Sequence, residues 1–247
     1  MMVSKLTRSL LTSVVAIALC LVLTGTTSQA APSEGGSISG TITFKAKAPP
    51  PTTIKVDKDI EVCGTHEKYS EELIVSKTGG LMNVVVQVVG AKGEITIPKG
   101  KDRPSLTQKG CQFTPHVQVV PAGTRINVLN EDGIAHNIHS LSVDNPSFNQ
   151  QQPGAKKRIV TKKNDFSVPE IIPMKCDIHG WMKAWIVVAD HPYTAISNEK
   201  GAFKISGIPA GTYTVEFWHE TLGKQSQEVA IKDGADTEIN VAFEPGK

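Results

Sequence analysis

The sequence predicts an all-β fold, and three observations carry that expectation. Apolar and polar residues alternate with period two in Ser37-Ile38-Ser39-Gly40-Thr41-Ile42-Thr43-Phe44, in Val117-Gln118-Val119 and in Thr212-Tyr213-Thr214-Val215-Glu216-Phe217. Residues 81–89 and 184–189 are nearly continuous apolar runs with many β-branched side chains, the pattern of buried strands. Turn signals recur between these stretches: Gly79-Gly80, Pro121-Ala122-Gly123, Asp132-Gly133, Pro153-Gly154, Pro209-Ala210-Gly211 and Lys232-Asp233-Gly234. Many short strands at this spacing predict a β-sandwich with Greek-key connections. The best helix candidate, residues 59–73, is broken by Gly64 and rich in β-branched residues.

The first element is a targeting segment. Lys5 and Arg8 form a basic start, residues 10–23 are apolar apart from Thr12 and Ser13, and Ser28-Gln29-Ala30 offers small residues before Ala31. Residues 1–30 therefore read as a cleaved signal peptide. The run is short for a membrane span, which needs about 20 residues, so no span is expected after cleavage, and an uncleaved anchor is the alternative. The implied location is periplasmic or otherwise extracytoplasmic. The whole chain holds 26 Lys+Arg and 24 Asp+Glu; residues 1–30 take two of the basic residues and no acidic one. The mature chain then carries no formal net charge, and no basic bias argues for nucleic acid.

Three further segments follow. Residues 31–110 form an N-terminal β segment, which adds strands to the main sandwich or builds a small domain with the C-terminal unit. Residues 111–190 carry the candidate site. Residues 191–247, after Asp190-His191-Pro192, form a small C-terminal β-sandwich-like domain. A unit of that size is marginal alone and is expected to pack on the larger one.

The candidate site is a ligand set. Cys176, His179 and Met182 share the stretch Met174-Lys175-Cys176-Asp177-Ile178-His179-Gly180-Trp181-Met182, and His136 lies in Ala135-His136-Asn137-Ile138-His139. One thiolate, two imidazoles and one thioether make up a trigonal His₂Cys copper site with a weak axial Met. The Cys-x₂-His-x₂-Met spacing puts three donors on one loop between strands. The fourth must come from another strand, and His136 follows a strand-like segment and a turn. Asn137 is placed to tie the two ligand loops together. Gly180 and Trp181 shape the surface beside His179, where electrons would enter or leave. The cysteine count agrees: Cys63, Cys111 and Cys176 remain after cleavage, an odd number. With Cys176 on a metal, Cys63 and Cys111 are the natural disulfide pair in an oxidising compartment; the alternative is two buried free thiols.

Residues 119–130, the string His136-Asn137-Ile138-His139 and the Cys176–Met182 loop together resemble the cupredoxins, and within them the amicyanin and plastocyanin type. The resemblance covers about residues 111–189. It implies a Greek-key cupredoxin sandwich, His136, Cys176 and His179 as equatorial copper ligands, Met182 as axial ligand, and no ligand role for His139. Gly180 stands where the amicyanin loop has proline. Residues 191–247 resemble a carboxypeptidase regulatory-like β-domain through Gly201-x-Phe203 and Pro209-x-Gly211-x-Tyr213. The whole arrangement is similar to periplasmic proteins labelled methylamine utilization, a label that names no activity.

Other candidates have bland readings beside the chemical ones. His116, at a strand start, is a fifth ligand or relay residue, or an ordinary strand-end histidine. His219 beside Glu220 is a metal pair or a surface hairpin residue. His66 near Cys63 is half a zinc site at most. Lys156-Lys157-Arg158 with Lys162-Lys163 is a solvated face or a patch that steers an acidic partner.

The function implied is a type 1 copper protein relaying single electrons between periplasmic partners, with a redox protein as partner and no enzymatic role. The alternative is a copper chaperone, store or sensor. A structural module with a vestigial site is a third class. An oxidase would need a second, open copper site. No serine-nucleophile motif, phosphate loop or catalytic carboxylate pair stands out.

Overall fold

The computed structural model describes residues 34–154 and 158–245. The expected signal peptide, with Lys156 and Lys157 of the basic patch, lies outside them. The strands in chain order begin with β1 (Gly36–Phe44), β2 (Val85–Val89), β3 (Ser105–Lys109), β4 (Gln112–Thr114), β5 (Val117–Pro121) and β6 (Asn127–Asn130). There follow β7 (His136–Ser140), β8 (Asn149–Gln152), β9 (Arg158–Val160), β10 (Glu170–Lys175) and β11 (Lys183–Ala189). The last are β12 (Thr194–Ile196), β13 (Ala202–Ile208), β14 (Gly211–His219), β15 (Gly223–Ile231), β16 (Asp236–Glu238) and β17 (Val241–Phe243). The fold is all-β, as expected. Among the described residues, no helix is long and apolar enough to cross a membrane.

The helix candidate at residues 59–73 shrinks to one turn, α1 (Ile60–Cys63). Gly64 closes it through its N–H on the Ile60 carbonyl. Lys68 then folds back, buried, and its ammonium donates to the Cys63 and His66 carbonyls.

Four sheets make two sandwiches. In the first, the sheet β5-β11-β10-β7-β8 faces β4-β3-β6-β9. Leu106, Phe113, Val128, Ile138, Ile172 and Ile186 fill the space between them. In the second, β13-β1-β16, with β17 also paired to β1, faces β12-β2-β14-β15. Its core includes Ile38, Ile42, Val86, Phe217 and Phe243. Thus β1 and β2, from the N-terminal segment, lie in sheets completed by strands after residue 190.

The two apolar runs acquire a physical reason. Strand β11 sends Ala184, Ile186 and Val188 into the first core and Val187 the other way, against Val85 of β2 and Val117 of β5. Strand β2 sends Val86 and Val88 into the second core and Val85 into that same seam. A strand covered on both faces has no polar side to show. Across the seam Trp185 meets Trp218 edge-on, ring centroids 4.9 Å apart. Glu220 also crosses it, accepting from Trp185 Nε1 at 2.8 Å and bonding to His116.

Candidate metal centre

Strand register brings the predicted residues together. Strands β10 and β11 pair as far as Lys175 opposite Lys183, so residues 176–182 form their hairpin loop. Strand β7 pairs His139 with Lys175. His136, three residues before, therefore projects beyond the end of β10, beside that loop. The loop is internally tied: the Met182 N–H donates to the His179 carbonyl at 2.9 Å, and the Cys176 N–H to the Met182 carbonyl at 3.2 Å.

His136, Cys176 and His179 meet. One donor atom from each lies within 4.8 Å of the others. The two Nδ1 atoms are 2.9 Å apart and Cys176 Sγ is 3.8 Å from His179 Nδ1. None of the three is more than 1% exposed, and Met182 is fully buried. His139 stands outside this group, bonded to Asp177 at 2.9 Å. His116 is also elsewhere, engaged with Glu220.

The sulfur is prepared as a thiolate. Burial alone would raise its pKa, but hydrogen bonds from His136, the Asn137 backbone and His179 outweigh it and bring Cys176 down to about 6. The His179 N–H also points at the sulfur, 3.4 Å away. Burial pushes His136 down as well; bonds to Asp132 and the Cys176 sulfur more than reverse that and raise it to about 8.

The outer nitrogens are fixed by two carboxylates that the sequence reading missed. Asp132 Oδ2 lies 2.8 Å from His136 Nε2 and Asp59 Oδ2 lies 2.7 Å from His179 Nε2. Asp132 is itself held by the N–H groups of Gly110 and Cys111, at 2.7 and 2.8 Å. Cys111 is in a disulfide with Cys63, which ends α1. The i,i+4 spacing of Asp132 and His136 was a visible signal, masked by the turn pattern Asp132-Gly133. Nothing local in the sequence marks Asp59.

This donor set fits a metal ion. An acceptor-only carboxylate on each Nε2 puts a ring proton there and turns each Nδ1 inward. Two imidazole nitrogens 2.9 Å apart beside the sulfur hold a positive charge between them, a proton such as the one that raises His136 or a metal ion in its place. One soft sulfur and two imidazoles are ligands of the kind that copper and zinc take. A second set of donor-type atoms, from Cys111, Asp132 and His136, also clusters, but the Cys111 sulfur is bound in its disulfide.

His179, beside the surface that Gly180 and Trp181 shape, is itself fully buried, with Asp59 bonded to its outer nitrogen. One expectation needs correction. His219, expected on a surface hairpin, is 1% exposed and packs toward Phe243, because the end of β14 turns into the second core.

Comparison with known proteins gives partial matches. The family described as polysaccharide lyase family 4, domain II, matches residues 154–239. No curated protein matches in sequence. Among solved structures, a Cu-containing nitrite reductase from Thermus scotoductus SA-01 aligns at 25% identity and TM-score 0.33, over 42% of this chain and 25% of that one. The chain thus spans about a quarter of that protein's length. A purple cupredoxin from Nitrosopumilus maritimus aligns at 20% identity and TM-score 0.30, over 35% and 99% of the two chains. Amicyanin from Paracoccus versutus aligns at 14% identity and TM-score 0.31, over 42% and 97%.

Proposed function

We propose that this chain binds one copper ion through His136, Cys176 and His179, with Met182 as weak axial ligand, and relays single electrons between extracytoplasmic redox partners. The observation that carries the reading is the burial of one activated thiol and two carboxylate-anchored imidazoles within 4.8 Å of one another. When bound, copper supplies a one-electron couple stable at a thiolate–imidazole site. The chain's own residues keep the donors from moving. Asn137 Oδ1 accepts the N–H groups of Asp177 and Ile178 at 2.8 and 3.3 Å and lies 3.3 Å from Cys176 Sγ. That side chain joins the His136 strand to the Cys176 loop, as expected from its place in the sequence. The Cys63–Cys111 disulfide supports an oxidising compartment.

The covered edge of His179 favours a second reading, a copper store or chaperone that exchanges metal rather than electrons. Copper loading followed by visible absorption and electron paramagnetic resonance separates the two. The relay predicts an intense thiolate-to-Cu(II) charge-transfer band that is lost in Cys176→Ser. A colourless, air-stable copper(I) form favours the store. No copper uptake by the wild type rejects both.

A further inference from the structure

We infer that Asp59 is a positioning residue of the metal centre: it fixes the His179 ring with its proton on Nε2 and Nδ1 free for the metal, and closes the ring's outer edge to solvent. The inference deepens the proposed copper reading and rests on it for its metal.

Three observations support it. The first is geometry. The Asp59 carboxylate lies 2.7 Å from Nε2, on the side of the ring away from Cys176 and His136. A hydrogen bond to one imidazole nitrogen decides the role of the other. The second is the backbone. Asp59 sits in the left-handed region, φ 51°, a conformation that Asp and Asn tolerate better than most residues. Its carbonyl takes the N–H groups of Val62 and Cys63 at 3.0 and 2.8 Å. Its side chain does not cap α1 and is turned to His179.

The third is the connection to the other histidine. From Asp59 the chain runs through α1 to Cys63, across the disulfide to Cys111, and through the Cys111 N–H to Asp132, which holds His136. The two carboxylates that orient the two imidazoles are thus linked through one covalent cross-link. An exposed aspartate tied down this way has a partner to serve. Its own side chain is 39% exposed while the His179 side chain is fully buried, so the carboxylate is the lid and the ring lies beneath it.

The test uses the full mature chain as wild type, Asp59→Ala and Asp59→Asn. In apo protein labelled with ¹⁵N-histidine, the wild type should show His179 as a single tautomer with a protected Nε2–H. Asp59→Ala should show averaged tautomers and fast exchange. Asp59→Asn, whose Oδ1 can still accept, should keep the tautomer. In copper-loaded protein, Asp59→Ala should bind Cu(II) about 10–100-fold more weakly, the usual effect of losing an outer partner of a ligand. Both variants should have a higher reduction potential, because a negative charge beside the oxidised site is gone. An unchanged tautomer together with copper affinity within about twofold of wild type in Asp59→Ala overturns the inference. If the wild type takes up no copper, the proposed function fails, and the apo tautomer alone then decides the role of Asp59.

Discussion

Asn137 and Asp177 are joined in both directions. The Asp177 N–H donates to Asn137 Oδ1 at 2.8 Å, while Asn137 Nδ2 donates to Asp177 Oδ2 at 3.1 Å. Asn137 follows His136 and Asp177 follows Cys176. The pair therefore sets the distance between two strands' worth of donors. Asp177 is further held by Lys175, His139 and Asn149, which keep its carboxyl well below the usual range.

Asn137→Ala should loosen this join. It removes the partner of the partly buried Asp177 and Ile178 N–H groups and of Asp177 Oδ2, each lost bond costing about 1 kcal/mol. A stability loss of about 2 kcal/mol is expected by urea unfolding with an unchanged slope. The charge-transfer band of the copper form should also shift. Wild-type stability and spectrum together would refute the join.

The disulfide closes a loop with a sequence separation of 48. Replacing Cys63 and Cys111 by alanine should cost about 4 kcal/mol and weaken metal binding by freeing Asp59 and Asp132. Calorimetry and copper titration on the double variant check both. Unchanged affinity would mean that the carboxylates need no tether.

Acid should destabilise the protein through His219. Its Nε2 has no hydrogen-bond partner among the described residues, and burial pushes its pKa down to about 4. The unfolded chain takes up a proton near pH 6.5 that the folded chain refuses until about 4. Stability therefore falls as pH drops through that window, by about 3 kcal/mol at full extent. His116 works the other way: burial lowers it, but the Glu220 bond and charge more than reverse this, so its pKa is raised. Its contribution is complete below about pH 6.5 and is lost as pH rises through the raised value. Unfolding curves from pH 4 to 7 should be flatter for His219→Asn than for wild type; parallel curves would reject the assignment.

Gly40→Ala should disrupt the second sandwich. A Cβ there would sit 1.8 Å from the Ile239 carbonyl oxygen, so β1 and the Ile239 backbone could not stay packed. A loss of about 3 kcal/mol is expected, at the upper end for overpacking. Thermal unfolding measures it, and a loss below about 1 kcal/mol would show that the strand relaxes freely.

The fold class and the donors were legible because both are short-range patterns. Alternation marks a half-buried strand within a few residues, and Cys176, His179 and Met182 lie on one loop. His136 was legible because its loop needed a donor from another strand. Asp59 was not: it acts on a residue 120 positions away, and a carboxylate in a polar segment carries no local mark. His219 was misplaced because alternation tells which residues share a face but not which face a core will cover. The apolar runs at residues 81–89 and 184–189 announced burial, but only the seam between sandwiches explains why both faces are apolar.

Strand β1 pairs with β13, β16 and β17, partners that lie some 160 to 200 positions later in the chain. A ribosome or a translocation pore releases the chain from its N-terminus onward. Apart from the short contact with residues 79–81, residues 36–44 must then wait for their strand partners until residues 202–243 have emerged. The strands of the first sandwich are complete by residue 189, so it can bring His136, Cys176 and His179 together while the second still lacks the strands that close it. Assembly of that cluster and completion of the molecule are thus separable in time, and a chain cut short after residue 189 would leave β1 as an open edge ready to pair with a neighbour.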